Sequence, residues 1–123
     1  MSYPIERGVV KDWDDMDEIF KHIFRELDVS PRDHPVLLTE PPQNPIRNRI
    51  RLAQMFFENY QVPKLFFHSS AVLSLYARGL TTGVVLDVGD GSSHVSAICE
   101  GFSINSATRR IDLGGRDITD HLV

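Results

Sequence analysis

Cysteine is almost missing from this sequence. The single cysteine, Cys99, has no second cysteine to pair with, so the chain cannot form an internal disulfide. One thiol cannot hold a metal cluster, and the five histidines lack the spacing of zinc ligands, so we predict no zinc site. This thiol content predicts a reducing compartment, either the cytoplasm or the nucleus.

Excess positive charge and long apolar runs are absent too. The 123 residues include 13 lysines and arginines against 17 aspartates and glutamates, a net charge of -4. That balance lacks the basic surface used to bind nucleic acid or anionic membranes. No run approaches the roughly 20 apolar residues of a membrane span, and Met1–Arg7 has no apolar signal-peptide segment. We predict no nucleic-acid partner and no membrane insertion.

The residue pattern predicts a mixed α/β fold. Apolar residues at helical spacing run from Trp13 to Leu27, and Asp12 can cap the start of that helix. The further predicted elements are a strand at 35–39, a helix from 44 to about 60, a strand at 64–67, a helix at 71–77, strands at 83–88 and 93–98, and a helix opening near 117. Neither side of a seam near 79–82 has a complete core, which predicts an incomplete part of a larger fold.

The strongest chemical signal is a strand followed by a glycine turn, Leu86-Asp-Val-Gly-Asp-Gly-Ser-Ser-His94. Gly89 and Gly91 permit a tight turn, and their amides can face an anion such as phosphate. Asp87 and Asp90 would repel phosphate unless a divalent cation lies between them. His94, on the returning strand, is predicted to face the same space as Asp87.

Simpler structural interpretations of the same residues stay open. Gly-Asp-Gly is a good hairpin turn without any ligand, and His94 alone can be a packed or surface histidine. Arg116 and Asp117 follow Gly114-Gly115 and can contact phosphate or sugar at a helix start. The alternative is an ordinary capped helix with a flanking arginine.

Several long motifs, taken together, resemble the actin family over nearly the whole chain. The Tyr3–Met16 segment is similar to the family's YPxExGxVxxWDDM pattern, and His34–Pro45 to HPVLLTExPxNP. Ala71–Ala77 is similar to a family helix, and Asp87–His94 to the second phosphate loop, DSGDGxxH. The resemblance continues through Glu100–Phe102, Arg110–Leu113 and Gly115–Asp117 in unbroken order.

The resemblance implies part of the actin-like (ribonuclease H-like) ATPase fold, incomplete here. Residues 1–80 would form the middle part of the first lobe, and 81–123 the start of the second lobe with its phosphate hairpin. It implies a partial site for ATP or ADP with Mg²⁺, which Asp87 would bind through water. The implied nucleotide-binding residues are Asp87, Gly89, Asp90, Gly91, Ser92 and Gly115, and His94 is the implied catalytic residue.

Three positions depart from the family pattern. Ser70 stands where the family has the glutamine that orients the attacking water, so this catalytic position is predicted to be impaired. Val88 replaces the serine of the loop, and Arg7 replaces a histidine that conventional actin methylates. The resemblance therefore implies at most a slow ATPase.

Three hypotheses for function follow. The first is a cytoskeletal actin-related protein of the cytoplasm that joins other actin-family subunits or a dynactin-type assembly. Gly8–Val10 and Val84–Leu86 resemble centractin, whereas Pro41-Pro42 and Thr108–Arg110 resemble the branching-complex subunits. The second is an actin-fold ATPase with active hydrolysis. The third is a degenerate interaction module that binds no nucleotide.

Overall fold

A computed structural model describes residues 3–122 of the chain. The chain divides into two compact units. Unit 1 comprises the residues up to Leu38 together with Asn44–Phe67, and unit 2 comprises Thr39–Gln43 and the residues from His68 onward. The division of the chain into actin-like lobes at residues 80 and 81 stays a prediction.

Unit 1 begins with a small hairpin and a capped helix. Strands β1 (Ile5–Glu6) and β2 (Val9–Val10) are antiparallel, and helix α1 covers Trp13–Glu26. The Asp12 carboxylate accepts hydrogen bonds from the amides of Asp14 and Asp15 at 3.1 and 3.0 Å, which confirms it as the cap. A side-chain oxygen in this position satisfies amides that have no partner within the helix.

The middle of the chain contains the second helix and two paired strands. Strand β3 (Val36–Glu40) pairs with β4 (Leu65–Ser69), and helix α2 covers Ile46–Gln54. The predicted helix to about residue 60 is correct in extent, but its last turn, Met55–Asn59, is a π-helix. A π-helical turn was not predicted, because apolar spacing does not distinguish it from a continuing α-helix.

A cluster of aromatic rings lies in the core of unit 1, alongside Met16, Leu52, Met55 and Val62. Phe56 is 1% exposed, and its ring lies 4.9 Å from that of Phe20 in an edge-to-face arrangement. Tyr60 packs on Phe56 and Phe24 with ring centroids 5.3 Å away. The Tyr60 hydroxyl donates to the Asp17 carboxylate at 2.6 Å, so its polar atom is satisfied while its ring is buried.

Unit 2 consists of a helix packed on an antiparallel sheet, followed by a last helix. Its elements are α3 (Ser70–Tyr76), β5 (Gly83–Val88), β6 (Ser93–Cys99), β7 (Phe102–Ser103), β8 (Arg109–Ile111) and α4 (Gly115–Leu122). Strand β6 is central, because it pairs with β5, β7 and β8. These elements confirm the predicted mixture of helices and sheets.

The two faces of strand β5 have different surroundings. On one face Val85 packs with a small aliphatic core that lies between α3 and the sheet: Ala71, Val72, Leu75 and Ile98. On the other face Val84, Leu86 and Val88 are 69%, 67% and 61% exposed. Alternate residues of a strand point to opposite faces, so β5 is covered on one side only within the described residues.

Candidate functional site

The predicted phosphate turn is a tight hairpin between β5 and β6. Val88 pairs with Ser93, and the amide of Gly89 donates to the carbonyl of Ser92 at 3.0 Å. The four residues from Gly89 to Ser92 therefore reverse the chain direction, as predicted. Ser92 is itself buried.

Asp87 and His94 lie opposite each other at the end of this hairpin. They are direct partners in the β5–β6 register, so both side chains belong to the same face of the sheet, as predicted. His94 is 5% exposed, and its Nε2 atom has no hydrogen-bond partner among the described residues. Burial lowers the pKa of His94, and the charge of Arg110 lowers it further, against the opposing effect of Asp87 and Asp112. The imidazole is therefore neutral near pH 7, with one ring nitrogen available.

Helix α4 supports the turn through its first amides. The amides of Gly115 and Arg116 donate to the carbonyls of Gly89 and Asp90 at 2.9 and 3.0 Å. The Arg116 guanidinium also pairs with the Asp90 carboxylate at 2.8 Å. The positive end of the helix therefore holds the turn in place, and the Arg116 charge offsets the Asp90 charge.

The glycine at position 114 is required by close packing. A Cβ atom at Gly114 would stand 2.6 Å from the carbonyl carbon of Asp90 and 2.8 Å from the carbonyl oxygen of Gly89. These are backbone atoms, which cannot rotate away as a side chain can. The Gly114 amide donates to the Asp117 carboxylate at 2.8 Å, so Asp117 caps α4. The capping alternative for Asp117 is thus confirmed.

The comparisons with known proteins identify the family. The family model described as Actin matches residues 1–123 of this chain. The chain belongs to the actin family. It is also 53% identical over 123 residues to an actin-like protein of Neurospora crassa, and the match covers 99% of this chain. The chain spans about a third, 32%, of the length of that curated relative.

Membership of the actin family confirms the predicted family resemblance. It also confirms the α/β fold class, as part of the actin-like fold.

The positions of two predicted site residues, Ser70 and Gly115, can be described individually. Ser70 is the first residue of α3, half-buried, and its carbonyl accepts a hydrogen bond from the Ser74 hydroxyl at 3.0 Å. Gly115 donates its amide to the turn itself, so within this structure it supports the loop. A direct contact of Gly115 with nucleotide stays a prediction.

Sequence reasoning missed two buried hydroxyls near the site. Ser96 is 0% exposed and shares the His94 face of β6, two residues further along. The side-chain oxygens of Ser69 and Ser96 have no hydrogen-bond partner in the described part of the chain. Alternation along β6 was the available signal, because a residue two positions after an inward-facing His94 must also face inward.

The donor set fits Mg²⁺ that is carried by a phosphate ligand. Residues 3–122 contain no group of three or more histidine, cysteine or carboxylate side chains that could hold a metal ion. Mg²⁺ bound to nucleotide needs only one or two protein carboxylates, because water and phosphate oxygens complete its shell. Asp87, half-buried beside the unpaired Nε2 of His94, meets this requirement.

Within the described residues, no helix is long and apolar enough to cross a membrane.

Proposed function

We propose that this chain supplies one phosphate-binding side of an ATP–Mg²⁺ site in a cytoskeletal actin-related protein. The observation that carries the proposal is the Gly89–Ser92 turn, fixed by the amides of α4, directly beside Asp87 and the unpaired imidazole nitrogen of His94. A hairpin with no ligand has no need to leave a buried imidazole nitrogen unpaired at its end, because that atom costs free energy. A ligand that brings water or phosphate to this side would satisfy it.

Each residue has a separate role in this proposal. Asp87 binds the cation through water, and the backbone of Gly89, Asp90, Gly91 and Ser92 surrounds the phosphate. Bound Mg²⁺ would offset the phosphate charge. His94, neutral near pH 7, can accept a hydrogen bond from water at its Nε2 atom. Gly115 keeps the turn in position through its bond to Gly89.

Hydrolysis by this site is proposed to be slow. Ser70 replaces a longer glutamine in the family pattern, and its hydroxyl reaches less far into the site. Val88 contributes no hydroxyl to the turn, and its side chain is 61% exposed on the opposite face from Asp87. We therefore favour a nucleotide-dependent structural role over an active ATPase.

We further propose that the parent molecule acts with other actin-family subunits, in a filament or a dynactin-type assembly of the cytoplasm. Membership of the actin family supports this role in general terms. We favour the dynactin-type assembly on the centractin-like residues at 8–10 and 84–86, against the branching-complex-like residues at 41–42 and 108–110. Co-sedimentation of the full-length parent with filaments, or its capture in one of these complexes, is the expected result. Failure of both would refute the cytoskeletal proposal.

The nucleotide proposal is tested by thermal unfolding of the purified chain with and without Mg-ATP. A ligand that binds only the folded state at ten times its Kd stabilises that state by about 1.4 kcal/mol, which raises the Tm of a chain of this size by several degrees. We expect Asp87→Asn to abolish the rise. Asp33→Asn is the matched control, because it removes the same charge from an exposed side chain of unit 1.

Two results would contradict the proposal. An equal rise in Tm for the Asp87→Asn and Asp33→Asn variants would show that Mg-ATP binds elsewhere. A Gly89→Val variant that keeps the full response would favour the degenerate interaction module instead. Phosphate release by the full-length parent at the rate of conventional actin would favour the active ATPase.

A further inference from the structure

A second concave site lies in unit 1, away from the glycine turn in the sequence. It is a cavity of about 360 Å³, within the usual range of small-molecule sites. Its lining comes from the β2–α1 connection and from the first two turns of α2: Val10, Lys11, Trp13, Arg47, Asn48 and Arg51. Three of these six residues carry a positive charge, in a chain whose net charge is -4.

The positive charges of this cavity lack ion-pair partners within the described residues. Arg47 and Arg51 are four residues apart on α2, so they lie on the same face of the helix, where like charges repel. Helix α2, Ile46–Gln54, contains three arginines and no carboxylate, and Arg47 stands in its first turn, where a cation opposes the helix dipole. Among the ion pairs of residues 3–122, none includes Lys11, Arg47 or Arg51.

The walls of the cavity are held by contacts that link distant parts of the sequence. Asn48 is buried, and its side-chain amide donates to the carbonyl of Val10 at 3.4 Å, which ties α2 to β2. The Arg51 guanidinium lies over the Trp13 ring, 5.0 Å from its centroid, which restrains its position. Because Arg51 is already restrained, its side chain loses less conformational entropy when an anion binds.

Two of the nearby carboxylates, Asp12 and Asp17, face other partners. Asp12 accepts the amides of Asp14 and Asp15, and Asp17 accepts from Lys21 and Tyr60. Asp14, Asp17 and Glu58 line a separate cavity that shares Trp13 and Arg51 with this one. The part of the basic cavity that Arg47 and Lys11 line is therefore more positive than the part next to the carboxylate-lined cavity.

We propose that Lys11, Arg47 and Arg51 form a binding site for a small anion that carries two or more phosphate groups. Each guanidinium can bind a phosphate through two parallel hydrogen bonds, and the lysine adds a point charge. A concave site of this volume suits a compact polyanion better than an extended acidic peptide. The site is independent of the proposed nucleotide site, because it uses none of the residues from Asp87 to Gly115.

The test uses inorganic pyrophosphate without Mg²⁺ and the complete chain. Titration followed by calorimetry and by amide chemical shifts should show binding, with shifts at Lys11, Arg47 and Arg51. Arg47→Gln should weaken pyrophosphate binding at least tenfold. The matched control is Arg49→Gln, which removes the same charge from the same helix at a residue outside the cavity lining, and it should change the Kd less than twofold.

Three results would overturn the proposal. Equal weakening by Arg47→Gln and Arg49→Gln would mean that only the general charge of the helix matters. Shifts confined to Gly89–Ser92 would place the anion at the turn in unit 2. Tighter binding of a hexaglutamate peptide than of pyrophosphate, with the same dependence on Arg47, would assign the cavity to an acidic protein segment. Arg47→Lys keeps the charge and should retain part of the affinity, so a folding defect can be distinguished from a loss of binding.

Discussion

The two units of the chain bury different kinds of groups. The core of unit 1 combines aromatic rings with aliphatic side chains, and its buried phenol has a charged acceptor, because Tyr60 donates to Asp17. The core of unit 2 is made of small aliphatic side chains, and beside it the polar atoms Ser69 Oγ, His94 Nε2 and Ser96 Oγ are buried without partners in the described residues. Unit 1 thus satisfies its buried phenol, whereas unit 2 leaves three buried polar atoms unpaired within the described residues.

The difference shows where function can cost stability. A buried polar atom without a partner is disfavoured by about 1–3 kcal/mol, so a protein retains it chiefly where a ligand, water or another segment uses it. All three such atoms belong to unit 2, which also carries the glycine turn. Physical reasoning from burial therefore selects the same unit as the glycine motif does.

The largest predicted effect concerns the aromatic core of unit 1. Phe56→Ala should lower the free energy of unfolding by about 3–5 kcal/mol, because it removes a ring that is 1% exposed and packed edge-to-face on Phe20. Urea unfolding followed by near-ultraviolet circular dichroism measures the change. Phe57→Ala, at a neighbouring residue that is 49% exposed, is the control and should cost much less. Equal losses would mean that the aromatic cluster does not stabilise unit 1.

The next largest predicted effect is the loss of stability when the packing of α4 on the turn in unit 2 is disturbed. Gly114→Ala should cost about 2 kcal/mol, because the new methyl group would overlap the backbone of Gly89 and Asp90. Gly115→Ala is the matched control for stability, since the nearest atom to its added Cβ is 3.8 Å away. Thermal unfolding of both variants checks the difference. A Gly114→Ala variant as stable as Gly115→Ala would show that α4 does not pack on the turn.

A smaller effect is expected at the satisfied polar pair of unit 1. Tyr60→Phe should cost about 1.5 kcal/mol, because it removes a hydrogen bond to a charged acceptor. Burial raises the pKa of Asp17, but hydrogen bonds from Lys21 and Tyr60 outweigh burial and hold it below its usual value. The stability from this carboxylate is therefore present above pH 3.8, its ordinary pKa, and is lost as pH falls through its lower folded value.

A double-mutant cycle isolates this pair. Tyr60→Phe and Asp17→Asn should show a coupling free energy clearly different from zero in urea unfolding at pH 7. Purely additive losses would contradict the interaction, even if each single variant is less stable than the original chain.

The smallest predicted effect is the change in stability with pH that His94 of unit 2 causes. Because burial lowers the folded pKa of His94, the unfolded chain takes up a proton first as pH falls below 6.5, the ordinary value. The contribution of His94 to stability is therefore fully present above pH 6.5. It decreases as pH falls from that value to the lower folded pKa. His94→Gln should reduce this loss in urea unfolding between pH 7 and 5, whereas His22→Gln, at an exposed side chain, should not. An unchanged pH profile in His94→Gln would contradict burial of the neutral imidazole.

Local chemistry in the sequence predicted the elements around the site. Asp12 before an apolar helical pattern predicted the cap, and Gly89 and Gly91 between two β-rich runs predicted the hairpin. Asp87 and His94 lie equally far from the turn in the sequence, and they were predicted to face the same space. These features depend on residues close together in the sequence, where spacing translates directly into geometry.

The sequence pattern did not predict contacts between residues that are far apart in the sequence. The requirement for Gly114 arises from Gly89 and Asp90, which are about 25 residues earlier, and the basic cavity joins Lys11 to Arg47 and Arg51. Hydrophobic periodicity identified the helix that ends in Met55–Asn59 but not its π-helical turn. Tertiary packing decides each of these features, and one sequence records it only indirectly.

The one-sided covering of β5 has a consequence for handling the chain in solution. Gly83–Val88 is a six-residue, β-branched segment with one charge, and within the described residues it has a single ladder partner, β6. Short segments of this kind, with a free edge and exposed Val84, Leu86 and Val88, can template intermolecular cross-β stacking. Light scattering of the chain should therefore rise steeply with concentration, and a lysine at position 86 should suppress the rise by introducing charge repulsion between stacked copies.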